Sequence, residues 1–421
     1  MPLKLITGPV NSGKAAEVLA AVAAAAENGE DPILVVPTVA DSDLLRRELA
    51  AGEISHAVRV TRFLGLWDLI ARRAGFDPRP LDDFGCQRIA RTVCDEALAD
   101  GKLTLLEESA RTDGFASALA RFADELGEVR ASPAKFAEVI GAWGKSPSGS
   151  GGYGAELALL YAAYRGRLEQ LGLRDPSGYV TELLDRLGSA PELWRKTPVF
   201  FYGFDDFELR QLDTIEALSG VADAPVVVSI PFEDRTAFES REQIIGQLRS
   251  LPGATEMLCE VSRDHYDSDS IDALFGLERG LFELEATAVD PGNGIECFKA
   301  GGPRAELELI AARIAALHKE GLAYEQIAVA VRDLDDAAPL IEEVFAAADV
   351  PIALRRRIPL GHTALVRGVL ALIACALCKH PEAEPSQPLI AKLIVWLRTP
   401  GVTPVQYRGN VDRLERRALR G

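Results

Sequence analysis

Apolar positions along this chain fall into two regimes, short continuous runs and long stretches of helical period. Lys4 to Thr7 reads as a short strand, a glycine-bounded loop follows, and Ala15 to Glu27 reads as an alanine-rich helix stopped by Asn28-Gly29. Ile33 to Val36 is a second buried strand ending at Pro37-Thr38, Asp41 starts another helix, and Val58 to Thr61 reads as a third strand. Helical periodicity then holds to about residue 188, broken by KSPSGSGGY at Lys145 to Tyr153, whose Ser/Gly content predicts a surface connection. Strand character returns in PVFFY (Pro198 to Tyr202) and PVVVSI (Pro225 to Ile230), with a helix from about Glu208 to Ser219 between them. Runs that are apolar at every position are the pattern of parallel strands covered on both faces. The fold class expected is therefore α/β, one parallel sheet interrupted by a large helical insertion.

Beyond the loop DPGN at Asp290 to Asn293, the pattern predicts a second βαβα unit. It comprises strand Glu296 to Lys299, helix Arg304 to Glu320, strand Ile327 to Val331, helix Ala337 to Ala348 and the extended segment Val350 to Ala353, with helix from Thr363 onward. The expected domains are 1–65 with 195–288, the insertion 66–194, a second α/β domain at 289–358, and the start of a second helical insertion at 359–421. No internal repeat of solenoid period is visible.

Composition narrows the classes. A chain of 421 residues is expected to hold two to three domains at roughly 100 to 200 residues each. Hydrophobic content of 48% with 26% charged residues fits a soluble globular protein and excludes wholesale disorder. No apolar run reaches membrane-spanning length and no basic flank with a cleavage site precedes the first strand, so a cytoplasmic protein with no membrane partner is expected. Six cysteines are too sparse for a disulfide framework and read as buried thiols. The net charge of −17 excludes a generally basic nucleic-acid footprint, which confines any such contact to a groove.

The first candidate chemistry is GPVNSGKA at Gly8 to Ala15, which meets every position of G-x-x-x-x-G-K-[ST] except the last. Backbone amides of such a loop and the helix N-terminus bind phosphate oxygens, and the lysine reaches the terminal phosphates. Gly8, Gly13 and Lys14 stand where that geometry needs them, while Ala15 replaces the hydroxyl that would ligate magnesium. A second strand should end in an aspartate for the metal and a glutamate for the attacking water. In PVFFYGFDDFELRQL those two places hold Tyr202 and Gly203, and Asp205 and Asp206 lie beyond, where a solvated loop or helix cap is as good a reading as metal binding. Cys375-x-x-Cys378 lies in an apolar helix and reads as a buried pair, not a metal site. Arg355-Arg356-Arg357 is a compact basic cluster suited to a phosphate backbone, a solvated face or a subunit contact. The five histidines have no ligand spacing, and no metal site is expected.

The ordered set LKLITGPVNSGK, LVVPT, VRVTRFLGLWDLIARRAG, ELGEVRASPAKF, DPSGYVTELLDRL and VFFYGFDDFELRQLDTIEAL resembles the first motor domain of superfamily 1 helicases of the UvrD type. RAELELIAARIAAL, EQIAVAVRDLDD and VPIALRRRIPLGHTALVRGVLALI look like the start of the second motor domain and its insertion. The retained frame with eroded catalytic positions, and GF-x-x-F at the second station, is similar to the B subunit of bacterial ATP-dependent helicase/deoxyribonucleases (AddB/RexB type). The resemblance implies a P-loop NTPase, RecA-like sheet followed by the start of a second RecA-like domain. It also implies a motor/nuclease A subunit as partner, single-stranded DNA as ligand, and a role in double-strand-break repair and recombination. In that family a PD-(D/E)XK nuclease domain with an iron-sulfur cluster follows the helicase-like half. The chain stops before it, so an N-terminal fragment or truncated reading of a longer protein is expected.

Carried onto this sequence, Gly8, Gly13, Lys14 and Ala15 match the phosphate loop for ATP, with Mg2+ deprived of a ligand. Arg332 in AVAVRD matches the arginine that approaches the terminal phosphate from the second domain. Phe63 matches the aromatic of the single-strand contact segment, with Arg62 where a threonine is usual and Thr61 shifted beside it. The leading expectation is a catalytically degenerate, DNA-guiding helicase-like subunit. The alternatives are an active P-loop enzyme such as a nucleoside kinase, and a purely structural docking arm.

Overall fold

The computed structural model describes residues 3–51, 57–76, 79–145, 151–194, 196–354, 358–377 and 387–418. All five strands expected for the first sheet form: β1 (Leu3–Thr7), β2 (Ile33–Val35), β3 (Arg59–Thr61), β4 (Val199–Phe201) and β5 (Val226–Ser229). A sixth, β6 (Thr255–Leu258), joins them in one sheet of order β3-β2-β4-β5-β1-β6. Every strand pairing is parallel, with Leu5 opposite Val228, Val35 opposite Thr61 and Phe201, and Phe201 opposite Val228. Strand β6 escapes a reading by apolar runs because it is an edge strand, largely exposed, with Thr255 and Glu256 in its four residues. Its register is held by β1 and by Glu256, which accepts from the Thr7 hydroxyl at 2.6 Å and from both arms of Arg249.

Seventeen helices follow in chain order among the described residues. In the first part they are α1 (Lys14–Glu27), α2 (Val39–Ala51), α3 (Phe63–Arg73), α4 (Asp83–Ala99), α5 (Glu107–Ala110), α6 (Asp113–Glu128), α7 (Pro133–Trp143), α8 (Gly151–Leu171), α9 (Pro176–Ser189), α10 (Leu209–Val221), α11 (Glu242–Ser250) and α12 (Ile271–Gly280). Strand alternation divides them between the two faces. Ile6, Leu34, Val60, Phe200 and Val227 point to one face, where Val18 and Val22 of α1 and Leu45 and Leu49 of α2 cover them. Leu5, Val35, Phe201 and Val228 point to the other, covered from α3, α9, α10 and α11 by Leu66, Leu183, Ile215 and Ile245. Between β3 and β4, helices α4, α6 and α8 build a separate core from Ala90, Val93, Leu119, Ala123, Leu160 and Tyr164. The segment 66–194 thus holds two kinds of helix, since α3 and α9 belong to the sheet's covering layer.

The chain divides into two compact units, 1–296 and 297–421. The second carries α13 (Pro303–Lys319), α14 (Leu334–Ala347), α15 (Ala364–Ala376), α16 (Gln387–Arg398) and α17 (Arg408–Ala418). Helices α13 and α14 pack through Leu307, Ala311 and Ile314 against Ile341, Val344 and Phe345. The strands expected at Glu296–Lys299, Ile327–Val331 and Val350–Ala353 do not form, so the second α/β sheet expected there is absent among the described residues. Ile327 and Val331 instead lie against the α13–α14 pair as partly buried cover, with Val329 exposed between them. Apolar alternation without a neighbouring strand gives an extended cover segment, because a strand exists only through its ladder.

Candidate functional site

The loop Gly8–Gly13 leaves the C-terminal end of β1 and turns directly into α1. Its turn requires left-handed backbone at Asn11 (φ 59°) and Gly13 (φ 83°), the latter forming the N-cap of α1. Gly8 is pinned on both sides. It exchanges two backbone hydrogen bonds with Phe232, at 3.0 and 3.1 Å, and a Cβ there would stand 2.5 Å from the Cys259 carbonyl oxygen and 2.8 Å from Ser12 Oγ. The segments leaving β5 and β6 therefore wall the loop, and only glycine fits at position 8. No side chain caps the N-terminus of α1, and the space beside Gly13 is open.

Lys14 is buried, and its ammonium donates to the carbonyl of Gly8 at 3.0 Å, to the Pro9 carbonyl and to Ser12 Oγ at 3.1 Å. Burial pushes its pKa below the ordinary lysine value; Cys259, Glu233 and Glu278 oppose that and Arg241 adds to it. Ala15 is half-buried in the first turn of α1 and presents only a methyl group.

Strand β4 lies one strand away from β1, with β5 between them. At its C-terminal end Tyr202 is half-buried and its pKa is raised by burial, while Gly203 takes φ 82° against Pro37. The next residues form an aromatic plug. Phe204 and Phe207 stack at 4.9 Å and close on Phe63 at 5.4 and 6.3 Å, which stacks on Phe201 at 5.3 Å. Asp206 spends a carboxylate oxygen on the Phe207 backbone N–H at 2.7 Å, and exposed Asp205 pairs with Arg241 at 3.1 Å. Among the described residues no group of three or more His, Cys, Asp or Glu side chains is placed to hold a metal ion. Neither Ala15 nor Gly203 offers a side-chain oxygen to a metal ion.

The other expected site residues are spread out. Thr61 is half-buried at the end of β3 and Arg62 is exposed, so both are open to a ligand. Phe63 is 5% exposed and engaged in the plug, which leaves no face for a stacked base. Arg332, in the second unit, is exposed just ahead of α14. Arg355, Arg356, Arg357 and Cys378 lie outside the described residues; Cys375 is partly buried in α15. The walls that sequence reasoning missed are Phe232, Glu233, Arg241 and Cys259. None belongs to a motif, and the one signal for them is that they follow the C-terminal ends of strands flanking β1, where open α/β sheets bind ligands.

A wholly parallel sheet, helices on both faces and a lysine-bearing glycine loop at the C-terminal edge define an α/β protein with its site at a strand-to-helix turn. The family model described as ADDB, N-terminal matches residues 5–251, and the chain belongs to that family. It is 26% identical over 446 aligned positions to the B subunit of the ATP-dependent helicase/deoxyribonuclease of Desulforamulus reducens, covering 100% of this chain and 37% of that one. It is 28% identical to the protein of the same name from Moorella thermoacetica, over 90% of this chain and 34% of that one, and 27% identical to that of Symbiobacterium thermophilum, over 86% and 33%. The chain thus spans about a third of the length of the curated relatives it matches.

Proposed function

We propose that this chain is the nucleotide-holding, hydrolytically inert motor-like part of a B subunit that guides single-stranded DNA beside a motor/nuclease A subunit during double-strand-break processing. The observation that carries the reading is the pairing, in one sheet, of an intact lysine loop after β1 with an aromatic plug after β4. The relatives are named as B subunits of a helicase/deoxyribonuclease, which supports a complex and a DNA substrate. The lysine loop supports a P-loop, RecA-like description of the sheet, in which Gly8, Gly13 and Lys14 hold phosphates through loop amides, the helix N-terminus and the ammonium. Ala15, Tyr202 and Gly203 together remove the metal ligands and the water-orienting carboxylate that hydrolysis needs, and no step is assigned to Asp205 or Asp206.

DNA contact falls to Thr61, Arg62 and the cluster Arg355–Arg357, with Arg332 kept as a candidate phosphate-contacting residue of the second unit. Any iron-sulfur cluster belongs to the remaining two-thirds of such a protein, and the cytoplasm is the compartment proposed. With a net charge of −17, DNA binding rests on a few local cations and falls steeply with salt, each phosphate contact contributing roughly one unit of log-log slope.

One observation favours a second reading, a docking arm that holds no nucleotide: Lys14 already bonds its own loop. Titration with a fluorescent ATP analogue separates the two. The proposal expects weak binding that survives removal of magnesium and disappears in Lys14→Ala; no binding, or binding indifferent to Lys14, selects the docking arm.

A further inference from the structure

One peptide group ties Lys14 to a second cation. The Phe232 N–H donates to the Gly8 carbonyl at 3.0 Å, and that carbonyl also accepts from Lys14 Nζ at 3.0 Å. The other end of the same peptide, the Pro231 carbonyl, accepts from Arg241 Nη1 at 2.9 Å. Through this chain of contacts Nζ and Nη1 lie at most about 11 Å apart, the reach of one triphosphate tail with its hydrogen bonds. Arg241 stands at the C-terminal ends of both β4, through Asp205, and β5, through Pro231, with its guanidinium over the Phe238 ring at 5.4 Å.

Its neighbours decide its availability. Glu233, next to Phe232 on the same segment, is taken by Arg279 at 2.7 and 2.9 Å and by Arg235 at 3.1 Å. Arg241 is left with Asp205, whose side chain is 79% exposed, and an ion pair so open to water contributes little. A guanidinium held by a backbone carbonyl and a ring, with a weakly bound carboxylate on its remaining edge, is prepared to exchange that carboxylate for a phosphate.

We propose that Arg241 is a specificity-determining residue of the Lys14 site, reading the terminal phosphate of a nucleoside triphosphate, and that Asp205 is the counter-ion it releases. This rests on the nucleotide-holding reading above. It assigns Asp205 an electrostatic role in place of the metal-binding alternative weighed for the loop after β4. No bond is made or broken; the exchange trades one charge-assisted hydrogen bond for another.

The test is calorimetric titration of the purified chain with ATP and with ADP, both in EDTA. Arg241→Gln is expected to weaken ATP about tenfold and leave ADP unchanged, collapsing the ATP/ADP preference. Asp205→Asn, which leaves the Pro231 tie intact, is expected to strengthen ATP several-fold without changing ADP. Arg241→Lys restores charge without the fork and should recover only part of the preference. An unchanged ATP/ADP ratio in both Arg241→Gln and Asp205→Asn, with Lys14→Ala still abolishing binding, overturns this proposal and leaves the nucleotide-holding reading standing. Wild-type protein that binds neither nucleotide overturns both.

Discussion

Two buried charges show how single residues are kept or neutralised in this chain. Lys14 is held by its own loop, so its burial is compensated by three acceptors and by neighbouring carboxylates. Glu156, at 8% exposure on α8, does the same for the turn that leads into α5. Its carboxylate accepts from the backbone N–H groups of Thr104, Leu105 and Leu106 and from the Thr104 hydroxyl, at 2.6–3.0 Å. Burial works against ionisation, yet these four donors hold the Glu156 pKa down to about 2. A carboxylate whose folded pKa is depressed contributes fully above its unfolded pKa, about 4.3, and loses that contribution as pH falls toward 2. Glu156→Gln should therefore cost roughly 2–3 kcal/mol at pH 7 in urea unfolding, with the gap from wild type narrowing by pH 3. A gap that stays constant between pH 7 and pH 3 would contradict the assignment.

Among the elements, the junctions after β3 and β4 differ most from what motif order implies. Phe63 reads as a DNA-stacking aromatic when matched by position, but burial belongs to the tertiary structure and no local pattern encodes it. The ring completes a plug with Phe201, Phe204 and Phe207, and Trp67 one turn on donates to Thr214 of α10 at 3.0 Å. The plug binds the start of α3 to the approach to α10, which gives GF-x-x-F a packing reason independent of catalysis. Phe63→Ala should cost about 3–5 kcal/mol in stability, measured by denaturant unfolding, while single-strand affinity per folded molecule stays at the wild-type value. Lost DNA affinity with stability intact would return the residue to the nucleic-acid path. The continuous apolar runs of β2, β4 and β5 are legible as strands because burial on both faces leaves few polar positions in them. Edge strand β6 is not, since one side of it faces water, and the extended segments of the second unit pass for strands because alternation reports a covered face without reporting a ladder.

At the scale of the whole molecule, one parallel sheet carries two unlike strand ends: the end of β1 bears the lysine loop, and the end of β4 is filled with aromatic rings. The loop is legible to the residue because its glycines and lysine are dictated by backbone geometry; its walls, from Phe232 to Cys259, come from distant parts of the chain and are not. Restoring the hydroxyl alone, by Ala15→Thr, should leave phosphate release at background, because Tyr202 and Gly203 still stand where carboxylates are needed. The account's central claim, nucleotide held without turnover, is tested most directly by single-turnover analysis of radiolabelled ATP incubated with excess purified chain, magnesium and single-stranded DNA. The account predicts ATP recovered uncleaved from the bound fraction, with that fraction lost in Lys14→Ala. DNA-stimulated cleavage of the bound ATP, abolished by Lys14→Ala, would contradict it.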